Sequence, residues 1–524
     1  MDNQRLELFT ANPGNAEEMY GDEAYRYIKS TTGVLLDVMK GTLGPKGNMK
    51  ILQGKEHAVT NDGAFVLKNL RIESACARVL VESSKTQDFE EGDGTTSIVL
   101  IASLILKYAY ESKVRPAFIS RGLGHAIAKI EEILQHKKVQ ATRDDVESLV
   151  RTTLNSKILN SHLDKFVKIC MDSVDNLTGD IDLNLINIVK LKGDLSESIW
   201  VDGLVIDKEI HFADDRTELT NPRVLVANTA LDFDKIKIFS SKIEVDSISE
   251  LEKVEEAEKQ RMMEKIDRVC LIEFDLIINR QIIYDFPMQL LLGHGKHVIE
   301  NADFGNVEKL NKILGGKVTS HFYGEKGESI TGTCGKIERV LLKGKTFTRF
   351  TGAKKGASTI VIYGSSSAVL EETERSIHDA LCVLKRIKKD VFVLYGGGST
   401  EVMLALELQK LSQEMKTVES EGPAVFSQAL FEFVELLCEN CGFDPVKFRS
   451  ALVPLYNTRT TYQKNSFARG LDVNTGNPAD MKQLRVIEGF TMKMRVLRAA
   501  CETAQALLKC DGIIVHPPRE RERH

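Results

Sequence analysis
Residues Gly92-Asp93-Gly94-Thr95-Thr96-Ser97 spell GDGTTS, and an apolar helical run, Ile98 to Tyr110, follows without a break. Glycines on both sides of an acid let the backbone turn and approach a bulky anion where a Cβ would clash. Thr95, Thr96 and Ser97 bring hydroxyls and unpaired N–H groups to the first turn of the expected helix, where the dipole favours phosphate. Asp93 inside such a cradle would repel that phosphate unless a hard divalent cation sat between them. Mg²⁺ prefers one or two carboxylates together with phosphate oxygens, so the stretch reads as a Mg-nucleotide site with Asp93 as metal ligand. A helix N-cap in a glycine-rich turn accounts for the same letters with no ligand at all.

Upstream, Tyr20 to Lys40 has helical spacing (Tyr27, Val34, Leu35, Val38) and stops at the loop Thr42-Leu43-Gly44-Pro45-Lys46-Gly47. That loop is a plain turn, or a second backbone surface for phosphate with Lys46 close by; it lacks the Walker A spacing. A short strand, Met49 to Leu52, leads to Thr60-Asn61-Asp62-Gly63, a turn signal that also offers Asp62 as a second acid. Helices are expected over Ala75–Lys85, Thr95–Ser112 and Pro116–His136. A polar boundary, Lys137 to Asp145, precedes a helical pattern from Val146 to Lys190.

The texture changes near Gly193. Short β-rich pieces (Ile199–Val201, Leu204–Ile206, Val224–Val226, Lys235–Ile238) alternate with helices to Tyr363, as in an α/β layered domain. Within this block, Ser249 to Arg268 is densely charged with a thin apolar stripe, Leu251, Val254, Met262 and Ile266. Such a helix projects into solvent or packs on a partner. Ser366 to Asp390 is helical again, and Asp379 interrupts its apolar periodicity. It is a surface acid, or a carboxylate aimed into a cleft. His378 reads as a packing or hydrogen-bonding residue. Strand Val391–Tyr395, the loop Gly396-Gly397-Gly398-Ser399-Thr400-Glu401 and a long helix repeat the logic of GDGTTS. Helical tracts Ala424–Leu452 and Met492–Lys509 close the chain, before a polar, frayed ending, PPRERERH. The matching helical texture at both ends predicts one discontinuous domain with the β-rich block inserted.

At 524 residues the chain exceeds one core, and about two to four domains are expected. A net charge of −5 and a single tryptophan, Trp200, point away from nucleic acid. The opening MDNQRLELFT has no secretory pattern, and the longest apolar run is too short to span a bilayer, so no membrane is expected. Nine scattered cysteines predict reduced thiols in a cytosolic protein, and Cys438-x-x-Cys441 reads as two buried residues rather than a zinc or redox pair.

Five stretches, TLGPKG (Thr42–Gly47), TNDG (Thr60–Gly63), GDGTTS, ERSIHDAL (Glu374–Leu381) and YGGGSTE (Tyr395–Glu401), occur in the order shown by group II chaperonins. The resemblance to that family, the thermosome and the eukaryotic cytosolic chaperonin CCT/TRiC, covers essentially the whole chain. Asp234–Ser247, Ile277–Leu290, Ile299–Leu310 and the ending DGIIVHPPRER look most like its beta paralogue line.

The resemblance implies a multidomain α and α/β chaperonin fold. Residues 1–141 and 396–524 would form a mainly helical equatorial domain, and 142–210 and 362–395 a small intermediate one. Residues 211–361 would be an inserted β-rich apical domain, with a helical protrusion at about 240–275 serving as a built-in lid. It implies ATP/ADP and Mg²⁺ as cofactors, with Asp93 on the metal and Gly44, Gly94, Thr95, Thr96 and Ser97 along the phosphates. Ser156 and Lys157 would reach in, and Gly397 would contact the nucleotide, with Glu488 and Lys493 near the ribose and base. Asp379 would orient or deprotonate the attacking water once its helix swings in, assisted by Asp62. Asn48-Met49 and Ser399 depart from the family pattern without removing a ligating group. The implied activity is ATP hydrolysis in a cytosolic hetero-oligomeric double ring of paralogous subunits. That ring would enclose and fold non-native polypeptides, actin and tubulin among them. A structural ring subunit that binds ATP and hydrolyses it weakly is the alternative; a small-molecule kinase with a coincidental GDGTT loop is a third reading.

Overall fold
The computed structural model describes residues 17–53, 57–179, 181–231, 248–320, 330–457 and 468–515. Its chain divides into two compact units, residues 1–167 with 375–524, and residues 168–374.

The first unit is built around the helix Thr95–Glu111, whose residues from Ile98 to Leu106 are all buried. A helix apolar on every side has no solvent face and must be surrounded. Asp22–Met39, Ala75–Glu91, Glu421–Asn440 and Phe490–Leu508 supply the walls. Two of these come from each end of the sequence. The ends are also joined directly, because Glu17–Tyr20 pairs antiparallel with Gly512–Val515. A three-stranded sheet in the same unit places Phe392–Tyr395 between Val139–Gln140 and Ile487–Gly489. The stretch expected as a bare polar boundary therefore holds a strand and then a capping box. There the Thr142 side chain accepts from the Asp145 N–H, and Asp145 accepts from the Thr142 N–H.

Three expectations need correction. Val34 points to solvent, while Ala24, Ile28, Leu35 and Met39 carry the buried face of their helix. The long helical tract ending at Leu452 breaks after Asn440: Gly442 takes φ 84°, and a new helix, Pro445–Asn457, starts where Asp444 accepts from the Val446 N–H. The helical pattern from Val146 to Lys190 contains two α-helices, Arg143–Asn155 and Leu163–Asp175, but Ile186–Lys192 is a strand. Its partner decides this: Ser358–Gly364 is buried along its whole length and pairs parallel with it, residue for residue.

The second unit contains that sheet, completed by Ile199–Asp202, and two others. One runs His297–Ile299, Leu276–Asn279, Arg223–Ala227, Gly332–Thr333, its first three strands parallel. The other is antiparallel and runs Leu204–Ile206, Lys345–Thr351, Lys336–Leu342, Glu218–Thr220. The charged helix spans Ile248–Cys270. Met262, Ile266 and Val269 are buried with Phe274 and Ile277, whereas Glu256 to Lys259 are exposed, so its C-terminal half is anchored. The side chains of Leu251, Val254 and Glu255, residues 240–247 of the expected protrusion, the expected strand Lys235–Ile238 and the PPRERERH ending lie outside the described residues.

All nine cysteines are free thiols, and Cys438 and Cys441 are buried. No described helix is long and apolar enough to cross a membrane. Leu104 is fully buried at the middle of the central helix. Leu104→Ala should lower the stability of this unit by about 2–5 kcal/mol, read as a shift in its denaturant midpoint; an unchanged midpoint would remove this helix from its central role.

Candidate active site
The first turn of the central helix lines a cleft of about 390 Å³, within the usual size range for a small-molecule site. Gly94 is its N-cap, with φ 83°, and a Cβ there would come within 2.7 Å of the Val496 side chain, so only glycine fits. The first intrahelical bond runs from the Ile98 N–H to the Gly94 carbonyl, which leaves the N–H groups of Thr95, Thr96 and Ser97 ahead of it. Asp93 accepts the Gly94 N–H on Oδ1 at 2.6 Å. Buried Gln87 holds the loop by donating to the Asp93 carbonyl at 2.9 Å.

Of the residues named from the sequence, Gly44, Asp93, Gly94, Thr95, Thr96, Ser97, Ser156, Lys157, Asp379, Gly397, Glu488 and Lys493 all line this cleft. Asp62 does not, although Asn61 and Gly63 do. Its carboxylate caps the helix Gly63–Asn69 by accepting from the Ala64 and Phe65 N–H groups. Lys46 also lies off the lining; its ammonium sits 5.5 Å from the centre of the Phe443 ring.

Asp379 faces inward from the helix Ser367–Lys389, only 5% exposed, so it is not a surface acid. Its Oδ2 lies 2.8 Å from Lys157 Nζ. Burial raises the Asp379 carboxyl well above its ordinary range; Lys157 opposes the rise, and Asp62 and Asp93 add to it. Burial works against the charge on Lys157, but Asp379 and Asp62 outweigh it and hold the ammonium protonated. Asn61, read from the sequence only as part of a turn, donates to the Ser156 carbonyl and ties the TNDG loop to the residue before this lysine. His378, on the same helix, is exposed beside Cys382.

The second glycine turn brings Gly397, Gly398 and Glu401 to the cleft, but not Ser399 or Thr400. Gly398 is the N-cap of the helix Ser399–Glu414 at φ 76°, and the Ser399 and Thr400 hydroxyls both donate back to the Tyr395 carbonyl. The fully turned-in Glu401 then meets Lys493, which also pairs with Glu488. Burial opposes the charge on Lys493, yet the two carboxylates raise its pKa; Glu488 is raised by burial against the pull of Lys493. Lys493 is therefore held as a cation by protein carboxylates. In the sequence Glu401 only ends a glycine motif; its place in the first turn of a buried helix is the signal that marks it.

Asp93 is not part of any group of three metal-binding side chains among the described residues. A lone carboxylate beside free helix N–H groups suits a hard cation that takes its remaining ligands from phosphate oxygens and water. The residues thus fit Mg²⁺ delivered with a nucleotide, and they do not form an all-protein metal cage.

A family described as the TCP-1/cpn60 chaperonin family matches residues 35–518. The chain is 45% identical over 514 residues to T-complex protein 1 subunit beta of Encephalitozoon cuniculi, covering 98% of this chain and 99% of that protein. It is 36% identical over 524 residues to the subunit of the same name from Arabidopsis thaliana, with 97% and 98% covered. The corresponding Homo sapiens protein is 37% identical over 501 residues, with 93% and 92% covered.

Removing the cation from the Glu401–Lys493–Glu488 cluster leaves two carboxylates facing each other in a buried space. Lys493→Met should therefore cost about 3–5 kcal/mol of stability, and adding Glu401→Gln should recover part of it. Denaturant midpoints of the single and double variants check this; equal losses in both would mean that the three charges are not coupled.

Proposed function
The chain belongs to the TCP-1/cpn60 chaperonin family, and from that premise we propose that it is a beta-type subunit of a cytosolic, hetero-oligomeric double-ring chaperonin. In this reading it binds MgATP in the cleft and hydrolyses it, and turnover drives the enclosure and folding of non-native polypeptides. Residues 1–141 and 396–524 serve as the equatorial part, 142–210 and 362–395 as the intermediate part, and 211–361 as the apical part. The helix Ile248–Cys270 belongs to its lid. The free thiols support a reducing compartment. The observation that carries the reading is the meeting, in one cleft, of Asp93 at a helix N-terminus with the buried Asp379–Lys157 pair.

Phosphoryl transfer asks a protein for charge neutralisation and a positioned water more than for covalent chemistry. Asp93 would hold Mg²⁺, which when bound supplies neutralising charge. The N–H groups and hydroxyls of Thr95, Thr96 and Ser97 bind phosphate oxygens. Gly44 and Gly397 let the backbone close on the nucleotide, and Glu488, held by Lys493, faces its sugar and base. Lys157 has Asp379 as its partner here; a phosphate oxygen entering the cradle competes for the same ammonium. As Lys157 turns to that oxygen, Asp379 loses its counter-charge, and the carboxylate becomes a stronger base for water. Asp62 supports this by its field.

Native mass of the protein from its own cells, with identification of co-purifying chains, tests the assembly. A particle many times the 58.5 kDa of one chain, with several related partner chains, is expected; a monomer or small dimer would overturn it. In rings that carry the Asp379→Asn change in every ATP-competent subunit, turnover should fall by about 10²-fold or more, while MgATP binding persists. Ring turnover left unchanged by Asp379→Asn in this subunit alone would favour a structural subunit instead.

The pH profile has a defined sign. Asp379 acts as a base only when ionised, and its pKa is raised, so hydrolysis should fall on the acid side at a higher pH than an ordinary carboxylate gives. Lys157 lowers that pKa, so Lys157→Met should move the acid limb further up in pH. A limb that stays in place or moves down would exclude Asp379 as the titrating base.

A further inference from the structure
Asp379 and Arg386 stand seven residues apart on one helix, so two turns place them on the same face. Both line the cleft, together with Val383 between them. That face meets the chain immediately before Asp93. Arg386 Nη2 lies 3.0 Å from Glu91 Oε1, and the same oxygen lies 3.0 Å from Arg495 Nε. Glu91 is almost wholly buried, its side chain 1% exposed. Burial raises its pKa and Arg386 opposes the rise. Beyond the ion pair, Asp390 accepts from the Thr491 hydroxyl, so the end of this helix is tied down again.

The next residue, Gly92, carries the tightest part of this contact. It has φ 70°, and a Cβ there would lie 2.5 Å from the Cys382 Cβ and 3.7 Å from the Asp379 Cα. The glycine lets the helix bearing Asp379 settle against the loop bearing Asp93. The ion pair fixes that approach from one residue away. Neither Glu91 nor Arg386 is used in the chemistry above, yet they join the two chain segments whose spacing that chemistry needs.

We infer that Glu91 and Arg386 are positioning residues, which set the distance between Asp379 and the Asp93 loop through the close contact of Gly92 with Cys382. The inference rests on the reading of the cleft as an ATP-hydrolysing site. Displacements of about 1 Å in a reacting constellation cost on the order of 10²-fold in rate, while binding by the phosphate cradle needs no such alignment. Loss of the ion pair should therefore separate turnover from affinity. Cys382 supplies an independent readout, because it sits at this contact, is half-buried, and its thiol is pushed up to about 12, chiefly by burial.

The experiment uses the full chain in its native assembly, with the aspartate corresponding to Asp379 replaced by Asn in every other subunit so that hydrolysis reports this chain, and compares Arg386→Met, Glu91→Gln and Arg386→Lys. Three quantities are read: MgATP affinity, single-turnover hydrolysis, and the alkylation rate of Cys382 followed by peptide mass. Arg386→Met and Glu91→Gln should bind MgATP as the unsubstituted protein does, hydrolyse it on the order of 10- to 100-fold more slowly and alkylate faster at Cys382. Arg386→Lys keeps a positive charge facing Glu91 and should restore most of the rate. Undiminished hydrolysis in Arg386→Met would overturn the inference and leave the site reading intact. Parallel loss of affinity and hydrolysis in all three variants would also overturn it, because the cluster would then serve only the fold. Failure of the unsubstituted protein to bind MgATP would overturn the site reading, and this inference with it.

Discussion

A helix that is apolar on every side has to be enclosed, and the enclosure of Thr95–Glu111 organises the first unit of this protein. Its walls come from residues before it and from residues more than three hundred positions after it. The two chain ends are thereby committed to one core, and everything between them must leave and return. The same burial has a consequence at the helix N-terminus. Its body cannot shift to satisfy its own first-turn N–H groups, so these remain directed at the cleft, with Gly92 and Gly94 giving the backbone the room to present them.

The cleft is rich in negative charge. Among the described residues it is lined by seven carboxylates, Glu91, Asp93, Asp379, Asp390, Glu401, Asp472 and Glu488, against Lys157, Arg386 and Lys493. An anion alone would be repelled by such a wall; an anion that arrives with a divalent cation would not. The three basic side chains are each held by protein acids, Lys157 by Asp379, Arg386 by Glu91 and Lys493 by Glu401 and Glu488. The basic groups therefore fix the positions of acids as much as they offer charge to a ligand. Of the three, Lys157 has the arrangement best suited to exchanging its partner, since a single ion pair holds it beside the phosphate cradle.

What could be read from the sequence follows from where the forces are local. GDGTTS and the GGGSTE turn announced themselves because glycine, hydroxyl and helix start are near neighbours in the chain, and the structure places both turns at the cleft. The apolar run after Ser97 gave its helix to within a residue or two. Ile186–Lys192 did not read as a strand because its alternation slips phase at Ile188-Val189; the buried partner that selects it lies more than 170 residues away. Likewise the ties from Asn61 to Ser156 and from Glu91 to Arg386 carried no sequence signal, since each joins groups supplied by distant segments. Ion pairs across helices are invisible to periodicity, which reports only which face is apolar.

Asp62 illustrates how an acid can influence a site without lining it. Both of its oxygens are engaged, one by the Ala64 N–H and one by the Phe65 N–H, as a cap of the helix that follows. So fixed, it cannot follow a water into the cleft, but its charge is felt there. It helps to hold Lys157 protonated and adds to the rise of Asp379. In the proposed mechanism those are the two properties the pair needs, a permanent cation for phosphate and a carboxylate with enough proton affinity to act as a base. The capping requirement of a seven-residue helix, Gly63–Asn69, thus fixes a charge that tunes the chemistry next to it. Selection for the fold and selection for the site would act on the same aspartate.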